Sequence, residues 1–443
     1  MKISKTALLA AIACAFGGQG WAAEPTSTAN SYGYYAADSA PVARQASKNV
    51  RLASAELAEV IPASCSCSDA PISGCDTGCG AGACDGDGSC DSACGCSGDP
   101  WRLFPNDPLG LTIGGWTNLG YHTQNTNNSF NNYADHVQLQ QQWLYAEKIA
   151  DGSCGLGFGG RIDYLYGTDA PDTQSFGIPN NHWDNSWDNG GAYGHAIPQL
   201  YGEVAYGNLS VKAGRFFTII GNEVVAATGN FFYSRQLTYH NAEPFTHTGV
   251  LTSYKPDDQT TIWNGYVTGW DSGFEDNGDA YIGGFSRALT DDISVIYTNA
   301  LGRFNESTGE RGSIHSGIVT AALTDNLKYI NQTDYLYTNN AAGVGIRNTF
   351  GNIHYLIYSI NDCVSVGSRS EWFNISREAD GIRNADVYNQ TVGLNYRFNP
   401  NLVVRPEVRW IWDKEQPLIN GLTFNENGRS SQAFFGMDAV FTF

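Results

Sequence analysis

Cysteine, histidine and carboxylate are the side chains with which a protein most readily does covalent or metal chemistry. This sequence of 443 residues groups the first of them. Eight of its 11 cysteines (Cys65, Cys67, Cys75, Cys79, Cys84, Cys90, Cys94 and Cys96) crowd one segment rich in Gly, Ser and Asp. In an oxidising compartment such thiols pair as disulfides. The Cys-x-Cys pairs at each end, with aspartates nearby, are also a donor set for a soft metal, but no spacing matches a zinc ribbon. Disulfides are therefore the expected state, and no metal site is assigned. Cys154 and Cys363 stand apart, near different turns of the larger part of the chain, too far from one another to bond.

The other reactive groups do not assemble into a catalytic pattern. The 8 histidines are scattered. His-Glu-x-x-His, Gly-x-Ser-x-Gly and a phosphate-binding glycine loop are all absent from the sequence, so neither catalysis nor a cofactor is expected. The stretch HWDNSWDNG (residues 182–190) sets two Asp-Asn steps beside two indoles, groups that can hold calcium or stack a sugar. Glu275, Asp276 and Asp279 form a second acidic group without EF-hand spacing. Both are read as loop residues satisfied by water and by one another.

One further stretch carries charge in an unusual setting. Residues 218–245, TIIGNEVVAATGNFFYSRQLTYHNAEPF, hold Glu223, Arg235 and Glu243 among Ile219, Ile220, Val224, Val225, Phe231 and Phe232. A loop in water should not be this apolar, whereas a loop folded against an inner wall can be.

Composition indicates what must position such groups. Charged residues are 16%, against about a quarter in ordinary soluble domains. With 51 Gly, 24 Tyr, 21 Phe and only 2 Met, the chain suits many short strands and tight turns rather than helices. A formal charge of −19 disfavours nucleic acid as a partner. Lys2 and Lys5, an apolar run over residues 6–16 and small residues at 20–23 read as an export signal ending near residue 23. Residues 24–62 are Ala/Ser-rich, with one weakly amphipathic helix expected. Residues 63–100 are the Cys/Gly/Asp-rich linker, and the strand-rich part spans 101–443. No later stretch approaches the roughly 18 apolar residues of a membrane helix.

From residue 110 onward, alternating segments recur, and the separators fall into two classes. Short ones carry turn residues, such as Gly207-Asn208, Asn361-Asp362 and Asn399-Pro400-Asn401. Longer ones fall near 123–136, 168–194, 218–245, 271–278, 304–312, 339–349, 377–386 and 414–431. The two classes alternate, which predicts an all-β, antiparallel up-and-down barrel of sixteen strands crossing a membrane, with short turns on one rim and long loops on the other. Side chains alternate faces along a strand. In the last segment Phe435, Met437, Ala439, Phe441 and Phe443 share a face. Near residues 402–412, Val404, Val408, Trp410 and Trp412 oppose Arg405, Glu407 and Arg409. In the third strand Leu156, Phe158, Ile162 and Tyr164 oppose Arg161 and Asp163. Aromatics on the face opposite the charges fit an interfacial girdle. Residues 312–323 and 339–350 alternate weakly.

The stretches LYGEVAYGNLSVKAGRFFTIIGNE, FFYSRQLTY and EPFTHTGVLTSY resemble the OmpL-like β-barrel porin family of planctomycete-type bacteria. VGSRSEWFNI (residues 366–375) resembles that family's Arg-x-Glu-Trp-Phe strand, carried here by Arg369, Glu371, Trp372 and Phe373. The family's strand usually continues into acidic residues, where this chain has Ile375-Ser376-Arg377. The likeness covers residues 101–443. It implies an outer-membrane diffusion channel for small hydrophilic solutes or ions, with assembly signalled by the C-terminal strand to the barrel-assembly machinery. It also implies surrounding lipid and a homotrimer. Sixteen-stranded porins fold the third long loop inward, which would place Glu223, Arg235 and Glu243 at a constriction. Arg161, Asp163, Arg397, Arg405, Glu407 and Arg409 would then form the facing wall. A structural or adhesive barrel with no open pore is the alternative.

Overall fold

The structure, a computed structural model, describes residues 100–105, 110–125, 130–189, 191–380, 382–413 and 431–443. The export signal, the Ala/Ser-rich segment and the eight clustered cysteines lie outside the described residues.

The described strands are β1 (Thr112–His122), β2 (Gln138–Lys148), β3 (Leu156–Gly167), β4 (Gly194–Ala196), β5 (Leu200–Tyr206) and β6 (Leu209–Phe217). After them come β7 (Thr246–Asp257), β8 (Thr260–Val267), β9 (Asp279–Thr290), β10 (Ile293–Asn305), β11 (Glu310–Ala322) and β12 (Leu327–Asn339). The last five are β13 (Gly345–Asn361), β14 (Val364–Arg377), β15 (Ile382–Asn399), β16 (Leu402–Asp413) and β17 (Ser431–Thr442). Sequence neighbours pair antiparallel around one sheet, and β1 pairs with β17 to close it. β4 and β5 both pair with β3 and are two pieces of one wall strand, so the barrel has 16. Phe443 completes the seam: its N–H donates to the Gly115 carbonyl, and its own carbonyl accepts from the Gly115 N–H, both at 3.0 Å.

Local chemistry closes the short turns. Side-chain oxygens accept from backbone N–H groups two or three residues on: Asp151 from Ser153 at 2.8 Å, Asp257 from Gln259 at 2.9 Å, and Asn361 from both Cys363 and Val364 at 2.9 Å. Cys154 and Cys363, on two of these turns, are each disulfide-bonded.

The outer face follows the expected alternation over β16, β17 and β1–β5. Trp410, Trp412, Phe435, Met437, Phe441, Leu144, Phe158 and Ile162 all point outward and are exposed. Three connections differ from expectation. The predicted loops at 304–312, 339–349 and 377–386 are shorter in the structure: 306–309 and 340–344 are the first two, β14 runs to Arg377 and β15 begins at Ile382, so their flanks are strand. The reason lies in β11–β13. There both faces are mixed: Ile314, Ile318, Ile330, Leu336 and Ile353 are buried inward beside Glu310, Gln332, Asp334 and Arg347, while Asn331, Thr333, Asn352 and His354 face outward among Tyr335, Tyr337, Leu356 and Tyr358. Polar, Gly- and Asn-containing strands of this kind read as loop when the outer face is assumed apolar.

Candidate pore constriction

The segment between β6 and β7 crosses the lumen. It leaves the wall at Phe217, where Thr218 N–H bonds Phe245 O at 3.0 Å, and runs to the far side before returning. It contains one helix, α1 (Leu237–Ala242), and a short 3-10 turn at Ala227–Gly229. Its apolar side chains divide between two buried clusters. Ile219, Ile220, Phe232 and Leu237 pack on the inner wall residues Trp263, Ile282, Ile330, Ile353 and Phe373. Val224, Val225, Ala226, Tyr239 and Phe245 pack with Trp116, Trp143, Leu165 and Phe217. A barrel of this circumference would otherwise hold water throughout. The loop supplies the apolar surface that lets part of the lumen become a core.

A line of inward-facing glycines on the wall seats the loop. A Cβ added at Gly367 would lie 2.3 Å from a Phe231 ring carbon, at Gly351 2.2 Å from Thr238 Oγ1, and at Gly436 2.8 Å from a Tyr233 ring carbon. At Gly393 it would lie 3.2 Å from Phe232. The missing side chains are the space that Phe231, Phe232, Tyr233 and Thr238 of the loop occupy.

Charged wall residues then fix the loop backbone. Glu371 accepts from Leu237 N at 2.9 Å, Thr238 N at 2.7 Å and Thr238 Oγ1 at 2.8 Å, so it holds the first amides of α1. Glu407 accepts from Tyr233 N at 3.0 Å and Ser234 N at 3.2 Å. Arg369 donates to Glu223 at 2.5 Å and to Ser234 O at 2.7 Å. Arg405 spans Asp438 on the adjacent strand and the loop carbonyls of Ala227 and Asn230, at 2.7 and 2.6 Å. On the other flank Gln141 donates to Val225 O and accepts from Ala227 N, at 2.7 and 2.9 Å.

Of the residues singled out from the sequence, Glu223, Arg235, Glu243, Arg405, Glu407 and Arg409 meet where the loop touches the wall. Arg235 donates to Val225 O at 2.8 Å and lies over the Phe130 ring. Glu243 accepts from Gln332 and faces Asp334; burial, then the Asp334 carboxylate, raises its carboxyl well above the ordinary range. Burial, followed by the neighbouring Arg377 charge, lowers His240 of α1 to about 3. Arg409 donates to Asn389 at 3.0 Å. Arg161 and Asp163 occupy a separate sector on β3, paired with each other at 2.7 Å and with Glu147 and Gln199. Arg397 sits apart from both, exposed at the short-turn rim, where it donates to Pro400 O at 3.4 Å. Gln332, Tyr355 and Asp438, which the sequence does not single out, complete the contact together with Arg369 and Glu371, which it marks only as part of a family-like strand. Alternation alone assigns Arg369 and Glu371 to the inner face, but it does not say that they meet the loop.

The acidic loop at 182–189 is a structural latch. Asp184 Oδ1 accepts from Ser175 N and Arg215 at 2.9 Å each, and Oδ2 accepts from Ile197 N at 2.9 Å. Protein donors occupy both carboxylate oxygens. Among the described residues no cluster of His, Cys, Asp and Glu could hold a metal.

A closed sixteen-strand barrel, apolar outside and narrowed by an inward-folded third loop, defines the architecture of an outer-membrane porin. The chain belongs to the β-barrel family described as "Putative beta-barrel porin-2, OmpL-like", whose pattern matches residues 110–443. Solved structures with the same fold include an anion-selective porin from Comamonas acidovorans (TM-score 0.53, 11% identity, covering 75% of this chain and 99% of that one). The trimer form of OmpT from Vibrio cholerae is another (TM-score 0.51, 12% identity, 75% and 99% covered). No curated protein matches the chain. The family places it in the outer membrane.

Proposed function

We propose that the protein is a passive diffusion channel for small hydrophilic solutes or ions, with no catalytic activity. The observation that carries this reading is the crossing of the lumen by residues 218–245, held by buried charged groups on β14, β16 and β17. Such anchoring makes a fixed constriction rather than a swinging lid, and charge bordering the remaining water path would sort ions by sign. A homotrimer, contact with the assembly machinery through β17, and a periplasmic, disulfide-linked extension before residue 101 belong to the same reading.

The second reading, a structural or adhesive barrel without an open pore, draws on one observation: nearly every side chain of the crossing loop is buried. Planar-bilayer recording of the refolded protein under a salt gradient separates the two. Steady ohmic steps support the channel, and the reversal potential gives its ion preference. A correctly folded, heat-modifiable barrel that passes no current refutes it.

A further inference from the structure

The outer face of β11–β15, continuing from Thr252, Asn264 and Asn299 on β7, β8 and β10, carries polar side chains at mid-strand where the wall of β1–β3, β16 and β17 is mainly apolar. Asn331 and Thr333 on β12, Asn352 and His354 on β13, Ser370 on β14 and Gln390 on β15 all point away from the lumen, because their sequence neighbours are the buried inward residues. They are adjacent in register: Asn331 pairs with His354, Thr333 with Asn352, His354 with Ser370, and Ser370 with Gln390. They form a laid-down hydrogen-bond network. Asn352 Nδ2 donates to Thr333 Oγ1 at 2.8 Å, His354 Nε2 meets Asn352 Oδ1 at 2.7 Å, and Ser370 Oγ donates to Gln390 Oε1 at 2.6 Å.

This belt lies mid-strand. On one side of it the outer face carries Tyr335, Tyr337 and Trp372, and on the other Tyr358, Tyr396 and Phe398, all exposed. Those two groups mark the interfacial levels, so the polar belt falls at the depth of lipid hydrocarbon. Polar side chains at that depth face protein far more often than lipid, since hydrocarbon offers no hydrogen-bond partner. The opposite wall has Leu119, Leu144, Phe158, Ile162, Phe435 and Met437 exposed, with Thr117 and Gln142 bonded to each other as the polar exception.

We infer that the outer face of β11–β15 is where a second copy of this chain packs in the membrane. This rests on the homo-oligomer reading above and adds the face that makes it. Three features fit a second copy. The side chains hold donors and acceptors together, so the patch is complementary to itself. No aspartate, glutamate, lysine or arginine lies among these six, and the outward charges of these strands, Arg311 and Asp386, sit toward the long-loop rim, so the belts of two copies meet without like-charge repulsion. The four strands that carry these residues, spaced about 4.8 Å apart and crossing about 30 Å of hydrocarbon, give on the order of 600 Å², near the ~800 Å² per partner of a standard interface.

The test is subunit counting by single-molecule photobleaching of the full chain in lipid bilayers, repeated for the triple variant Asn352→Leu, His354→Leu and Gln390→Leu. A variant with Leu144→Asn and Phe158→Asn serves as the comparison on the opposite wall, and heat-modifiability confirms that each barrel is folded. The inference predicts an oligomeric wild type, a belt variant at least tenfold richer in monomers, and a comparison variant that stays oligomeric. A photo-crosslinking amino acid at position 352 should join two copies and one at position 144 should not, which gives a readout in an otherwise native barrel. A monomeric wild type would remove the oligomer reading and this face with it. An oligomer that survives the belt changes, or that crosslinks only through position 144, would overturn the face alone.

Discussion

Replacing Glu371 with alanine should free the start of α1 from the barrel wall while leaving the wall intact. Glu371 is buried, and its two oxygens hold the Leu237 and Thr238 backbone N–H groups, the Thr238 hydroxyl and the Asn389 amide. Alanine leaves all of them without that acceptor. A buried donor stripped of its partner costs about 1–3 kcal/mol. Counting only the two backbone amides, which no side-chain rotation can redirect, the loss is about 4 kcal/mol. At about 1.4 kcal/mol per decade, that corresponds to roughly a thousandfold rise in local opening. Water entering the vacated volume would recover part of the penalty, so the lower bound is about thirtyfold. The assay is native-state hydrogen exchange of the Leu237 and Thr238 amides in the refolded protein, with β17 amides as the internal reference. Glu371→Gln keeps one acceptor oxygen and should fall between wild type and alanine. Protection that drops less than about threefold (~0.6 kcal/mol) would refute the view that this carboxylate holds the loop.

Three other outcomes follow from the same geometry. Gly367→Val drives a side chain into Phe231, with the first added carbon 2.3 Å from its ring, and should cost about 1–3 kcal/mol in denaturant unfolding while raising current noise. Gly202→Ala, where nothing lies within 4 Å, should do neither. Arg405→Met strands the buried Asp438 carboxylate and should destabilise by about 3–5 kcal/mol, with Asp438→Asn in the same chain restoring a measurable part; equal unfolding midpoints for single and double variants would count against the pair. The third outcome concerns pH. Because Glu243 has its carboxyl raised by burial, the folded loop holds this proton more tightly than the unfolded chain does. Its contribution is therefore complete below the ordinary value of 4.5 and is lost as pH rises through the raised value. Loop exchange should quicken with pH across that window, and Glu243→Gln should flatten the dependence. An unchanged slope in the variant would assign the effect to another group.

Period-two alternation, the turn residues and the apolar outer positions are local properties of the chain, so the sequence by itself determines an antiparallel membrane barrel of sixteen strands. The apolar character of residues 218–245 likewise states that this loop is not in water. Tertiary structure decides where that loop docks. Glu223 meets Arg369 146 positions further on, Arg405 reaches Ala227 across 178, and Glu407 reaches Tyr233 across 174, distances over which neither spacing nor alternation carries information. Gly351, Gly367 and Gly436 read as turn or breaker residues until Thr238, Phe231 and Tyr233 above them are in view. The same limit explains β11–β13. Alternation reports that the two faces differ, but which face is apolar depends on what each one touches. Here the inner face mixes isoleucines that meet the loop with Glu310, Gln332, Asp334 and Arg347, and the outer face mixes Tyr335, Leu356 and Tyr358 with Asn331 and Asn352, so only the folded barrel reveals which side each face turns to.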